Sequence, residues 1–180
     1  LILAPPKAED AVEQKALECG DVILGIDPGT GRTGFGAVRH LGKNSCEFIR
    51  CGCITTSADL TREQRLRSLF EQLSLVFDET KPAVAVVEEL FFCRNVTTAM
   101  AVGEARGVIL LTAAMRDVPV ASYTATAVKE AVSGSGRASK KEVCMAVMHY
   151  LDLQKKPTPD DASDGLAIAL CHKFWEDINN

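Results

Sequence analysis

The chain has 180 residues, a length that suits one domain with a substantial core. Apolar residues make up 47% and charged residues 24%, ordinary for a globular protein, and no apolar run approaches the ~20 residues that span a bilayer. The net charge of −4 argues against a uniformly basic nucleic-acid binder. Residues 1–21 hold five acids (Glu9, Asp10, Glu13, Glu18, Asp21) against two lysines (Lys7, Lys15), or −3, which leaves −1 for the rest and room for a local basic face.

Residues 1–20 read as an acidic appendage, with Pro5-Pro6 and then a short helix to Leu17. The stretch LILAPPKAED has too little apolar length before its prolines and charges to be expected as a secretory leader. Val22 to Ile26 form an apolar run, expected as a strand buried on both faces, and the run ends in Asp27. A carboxylate there is costly to desolvate unless a cation or hydrogen-bond donors meet it. Gly29, Gly31 and Gly34 spell G-x-G-x-x-G, but the following TGFGAVRH reads as a second strand, whereas a dinucleotide fingerprint opens a helix. The run D-x-G-T-x-x-T also resembles the first phosphate loop of actin-like ATPases, which need a second lobe that 180 residues do not accommodate.

Segments 22–27, 33–40 and 46–55 are expected to form an antiparallel meander. Thr61 to Glu79 carries Leu66, Leu69, Phe70, Leu73, Val76 and Phe77 at helical spacing, capped near Ser57–Thr61 and broken at Lys81-Pro82. AVAVVE, 83–88, is a second buried strand ending in acid, Glu88 followed by Glu89. Residues 95–116 are expected to be helical, with Gly103 and Gly107 allowing close helix approach. A strand at 118–123, a helix at 124–132, a basic loop at 133–141, a helix capped by Ser139 and a last helix from Asp160 to about Glu176 complete the chain. This order gives an α/β fold: a mixed five-stranded sheet, three antiparallel strands and then parallel ones, flanked by helices.

Acids therefore stand at two strand ends and at a helix start, where Asp161 and Asp164 share one face. Four carboxylates meeting at one point stay ionised only beside cations, and hard oxygen donors select Mg²⁺ or Mn²⁺. Two such ions activate water and stabilise the leaving oxygen in phosphodiester hydrolysis. The seven cysteines, an odd number without a C-x-x-C pair, point to reduced thiols and a cytoplasmic location. His40, His149 and His172 are not expected to act in catalysis, and His172 reads as a helix-end residue.

The stretches ILGIDPGTGRTGFG, VVEELFFCRN, GEARGVILLTAA, YTATAVKEAVSGSGRASK and PDDASDGLAIALCH, within residues 22–172, resemble the RuvC family of Holliday-junction resolvases in the ribonuclease H-like superfamily. The resemblance implies a ribonuclease H-like nuclease domain over 21–180 and a homodimer that cuts two opposing strands of four-way junction DNA. It implies Asp27, Glu88, Asp161 and Asp164 as ligands of two Mg²⁺ ions, with Mn²⁺ able to substitute. It selects Glu88 over Glu89, and Asp161 over Asp160. Lys140 and Lys129 match its basic DNA contacts and Phe91 an aromatic that stacks on bases; Arg137 lies beside them in the basic loop. Lys140 would also offset transition-state charge. A branch-migration motor complex is a further implied partner. The helix at 95–116 is the candidate dimer interface, with burial in the monomer core as the alternative, and Arg94, Asn95 and Arg106 are expected to face either DNA or the partner. The competing functions are another ribonuclease H-like nuclease acting on RNA or non-junction DNA, a non-catalytic junction-binding protein, and a nucleotide-binding module.

Overall fold

A computed structural model describes residues 16–89 and 96–179. Residues 1–15 of the expected appendage, and Phe91, Arg94 and Asn95, lie outside the described residues.

The elements follow the hydrophobic pattern closely. Strands β1 (Val22–Asp27), β2 (Arg32–His40) and β3 (Cys46–Thr55) precede helix α1 (Arg62–Thr80) and strand β4 (Val84–Glu88). Helix α2 (Val96–Ala114), strand β5 (Val120–Tyr123) and helices α3 (Ala125–Ser133), α4 (Lys140–Tyr150) and α5 (Asp160–Asn179) follow. The sheet order is β3-β2-β1-β4-β5. β1, β2 and β3 pair antiparallel, while β4 joins β1, and β5 joins β4, in parallel. This is the expected mixed five-stranded sheet.

Local chemistry fixes the helix ends. Thr61 caps α1, where its N–H donates to Gln64 Oε1 at 3.0 Å. Lys81 ends that helix in the left-handed region, just before Pro82. Ser139 and Glu142 form a reciprocal capping box on α4. None of the described helices is long and apolar enough to cross a membrane.

Two apolar layers sandwich the sheet. On one side Leu24, Ile26, Ala85 and Val87 pack against α1 and α2 through Leu69, Leu73, Phe77, Ala105 and Ile109. On the other side Ile23, Val84, Val86, Ala121 and Tyr123 pack against α3, α4 and α5. Leu17 joins this second layer, and its N–H approaches Glu176 Oε2 at 3.5 Å.

Helix α5 lies unusually close to the sheet, for which glycine is responsible. A Cβ at Gly25 would overlap the backbone of Gly165 and Ala169; one at Gly34 would overlap the Asp161 carbonyl, and one at Gly36 the backbone of Leu166. A side chain at any of these positions would lift the helix from its seat. At Gly107 a Cβ would meet nothing within 4 Å, so none of the described helices approaches it. The expectation for His172 is corrected. It sits in the middle of α5, only 2% exposed, with Nδ1 2.9 Å from the Tyr123 hydroxyl. Burial lowers its pKa to about 4.

Candidate active site

Strand alternation delivers the first two acids. In β1, Ile23, Gly25 and Asp27 share the face toward α5; in β4, Val84, Val86 and Glu88 share the same face. The strands are parallel, with Ile26 opposite Val87, so Asp27 and Glu88 end side by side. The turn after Asp27 is held from below. Thr56 Oγ1 donates to the Thr30 carbonyl at 2.5 Å, its N–H donates to the Gly31 carbonyl at 3.0 Å, and Arg65 Nε donates to Thr56 Oγ1 at 3.1 Å.

The glycine seat then sets the start of α5 over these strand ends. Asp27, Glu88 and Asp164 line one cavity of about 210 Å³ with Lys129 of α3 and Lys140 of α4. Lys140 Nζ donates to Asp164 Oδ2 at 2.8 Å. Asp161, one turn earlier on α5, acts on Asp27 electrostatically but does not line the cavity. Its Oδ2 pairs with Arg32 at 2.5 Å.

Burial dominates the electrostatics of the inner pair. The Asp27 carboxyl is pushed up to about 6 by desolvation, then by Asp164, with Lys140 opposing. Glu88 rises to about 7 through desolvation, then through Asp27 and Asp164, with Lys140 and Lys129 opposing. The Lys140 ammonium is raised chiefly by its hydrogen bond to Asp164.

The four acids do not all converge as expected. Among the described residues no group of three or more His, Cys, Asp or Glu side chains is arranged to hold a metal ion. Like charges repel: Asp164 stays in the cavity paired with Lys140, while Asp161 pairs with Arg32 outside it. The donor chemistry nonetheless suits a hard divalent cation. Asp27 and Glu88 are oxygen donors whose ionised forms are undercompensated, and Asp164 and Asp161 adjoin them on one helix face.

The other candidate residues separate clearly. Glu88 lines the cavity, whereas the Glu89 N–H donates to the Tyr123 carbonyl at the sheet edge. Asp160 pairs with Lys156 at 2.8 Å and lines a neighbouring pocket with Lys140 and Asp164, outside the cavity of Asp27 and Glu88. Lys129 and Lys140 both reach the acids, but Arg137 lies in a separate groove with Glu130, Met145 and Tyr150. Arg106 is buried and donates to Ser122 Oγ at 2.8 Å, so it belongs to the core and not to an outer surface. Sequence reasoning missed Arg32. Its signal was the period-two spacing from Gly34 and Gly36, the glycines that mark the face on which α5 rests.

Comparison with known proteins agrees with this architecture. A family model described as crossover junction endodeoxyribonuclease RuvC matches residues 23–172. The crossover junction endodeoxyribonuclease RuvC of Pseudothermotoga lettingae is 49% identical over 84% of this chain and 93% of that protein. Its counterpart in Desulforamulus reducens is 44% identical over 86% and 94%. The solved structure of T. thermophilus RuvC in complex with Holliday junction substrate superposes with a TM-score of 0.83 at 34% identity, covering 88% of this chain and 96% of that one. The yeast mitochondrial Holliday junction resolvase Ydc2 shares the fold, with a TM-score of 0.63 at 12% identity. With its glycine-seated helix, its acid-ended parallel strands and a family match across most of its length, the chain belongs to the RuvC family of crossover junction endodeoxyribonucleases.

Proposed function

We propose that this protein is a Holliday-junction resolvase, a metal-dependent endonuclease that cuts paired strands of four-way DNA junctions during recombination and repair. The observation that carries this reading is the cavity of Asp27, Glu88 and Asp164 with two lysines on its rim, in a chain of this family. Asp27, Glu88, Asp161 and Asp164 would hold two Mg²⁺ ions, with Mn²⁺ able to substitute. Such ions supply a nucleophile at neutral pH and stabilise the attacking and leaving oxygens of an in-line displacement.

The chain's own residues do the positioning. Lys140, 75% exposed at its side chain, is free to turn from Asp164 toward a phosphate and offset charge that builds there. Lys129 flanks the same cavity and would hold a neighbouring phosphate. Burial of Asp27 and Glu88 makes them avid for cations, because a cation removes the cost of ionising them. Phe91 would stack on an unpaired base, and Arg137 would meet DNA farther out.

A homodimer would supply the two active sites. Met100 and Leu111 of α2, and Met115 just after its end, are 55–63% exposed, and Leu75 of α1 is 61% exposed. Gly107, open on α2, would let a second copy approach the helix closely. Residues 21–180 would form the nuclease domain and residues 1–20 its acidic appendage. The six described cysteines are free thiols, in keeping with a cytoplasmic location. Family membership is what suggests a branch-migration motor complex as partner.

The direct test offers synthetic four-way junctions, linear duplex and RNA–DNA hybrid, each with Mg²⁺ or with chelator. Symmetric nicks on the junction alone, only with Mg²⁺, are expected. Equal cutting of duplex or hybrid would replace junction resolution with a broader nuclease activity.

A further inference from the structure

Arg32 is the first residue of β2, immediately after the turn that follows Asp27. Its side chain is 53% exposed, and its guanidinium pairs with Asp161 Oδ2 at 2.5 Å while also meeting the Cys53 side chain. Asp161 has little freedom to move as a whole. Its backbone is pressed against Gly34, so only its side chain can turn. The carboxylate has two destinations: Arg32 outside, or the cavity that Asp27, Glu88 and Asp164 line. Turning Oδ2 into the cavity would break its pair with Arg32.

Lys140 does the same for Asp164, but it stands on the cavity rim and need only tilt. Arg32 approaches from the opposite side, from the sheet. A planar guanidinium binds phosphodiesters as readily as carboxylates. Exposed beside a site that would hold a DNA strand, Arg32 has an alternative acceptor whenever substrate is bound.

We propose that Arg32 competes with a divalent cation for Asp161, and that a backbone phosphate of bound DNA, by taking the guanidinium, releases Asp161 to complete the cation set. This rests on the reading of the acids as metal ligands. It makes Arg32 a positioning residue that couples cation binding to substrate binding, and linkage requires the coupling to run both ways. Its effect is to leave the cation set incomplete until DNA arrives.

The test has two arms, neither of which reads cleavage. In the first, Mn²⁺ is titrated calorimetrically into the full chain without DNA. Arg32→Ala is expected to bind Mn²⁺ about two- to fivefold more tightly than wild type, the range for losing one exposed ion pair, and Arg32→Lys is expected to fall between them. In the second, junction affinity is measured in chelator. Asp161→Asn frees the guanidinium and is expected to tighten binding about two- to fivefold. That gain is expected to vanish when Arg32→Ala is added.

Coincident Mn²⁺ isotherms for wild type and Arg32→Ala, with Asp27→Asn still abolishing the heat, would overturn the role of Arg32 and leave the metal reading intact. A gain from Asp161→Asn that persists without Arg32 would overturn it too. Absence of Mn²⁺ heat in wild type, with and without junction, would remove the metal reading and this inference together.

Discussion

Asp27→Asn is expected to stabilise the protein when chelator is present at pH 8. The Asp27 carboxyl stands at about 6 against an ordinary 3.8, raised first by burial and then by Asp164. A folded pKa above the unfolded one means that the folded chain keeps a proton which the unfolded chain has released. Stability therefore falls as pH rises from about 4 to about 6, and the penalty is complete above that window. Taken whole, the shift corresponds to ~3 kcal/mol. Partial exposure and the shared interaction with Glu88 reduce it to roughly 1–2 kcal/mol. In a chain of this size that is roughly 2–8 °C in melting temperature. Glu88, pushed to about 7, extends the unfavourable range upward, and Glu88→Gln is expected to act in the same direction. Scanning calorimetry at pH 4 and pH 8 in chelator reads the difference. The variant should gain at pH 8 and gain little at pH 4, and excess Mg²⁺ should favour wild type instead. A variant that melts below wild type at pH 8 in chelator, or gains equally at both pH values, would refute the electrostatic account of the cavity.

Three further outcomes follow from the same geometry. Gly34→Ala drives a methyl group into the Asp161 carbonyl and is expected to cost roughly 1–3 kcal/mol by overpacking, read by denaturant unfolding, and to weaken Mn²⁺ binding with it; a neutral effect would mean that α5 can lift freely. Lys140→Ala should lower the slope of log affinity for junction against log salt by about 0.9 if it loses one phosphate contact, and an unchanged slope would assign Lys140 to Asp164 alone. Combined Leu111→Glu and Met115→Glu should convert a dimer to monomers in sedimentation velocity while the secondary structure is kept; a dimer that survives would move the interface away from the outer face of α2.

Much of the fold was legible because its signals are local. Thr61, Lys81-Pro82 and Ser139 mark helix ends by capping and by backbone restriction, and the structure places those ends within a residue. The buried runs of β1 and β4 announced themselves, as did the acid closing each. Their adjacency depends on a parallel crossover, and family resemblance was a firmer guide to it than periodicity. The glycines were harder. Gly34 and Gly36 read as residues of a second strand, yet their main task is to admit the backbone of α5. A missing side chain carries no mark of whether it serves a turn or a close approach. Arg32 went unremarked for a related reason: its role depends on Asp161, 129 positions later in the chain and brought to it by that glycine seat. His172 was misjudged because α5 runs on to Asn179, which turned an expected helix end into a buried mid-helix hydrogen bond to Tyr123.

The account turns on Asp27 as the inner carboxylate of a cation-dependent nuclease site. The most direct measurement pairs a gel-shift and a cleavage assay on the same synthetic four-way junction with Mg²⁺, comparing wild type with Asp27→Asn. The account predicts that both proteins bind the junction and that only wild type nicks it, symmetrically in opposing strands. Nicking by Asp27→Asn at the wild-type rate would contradict it.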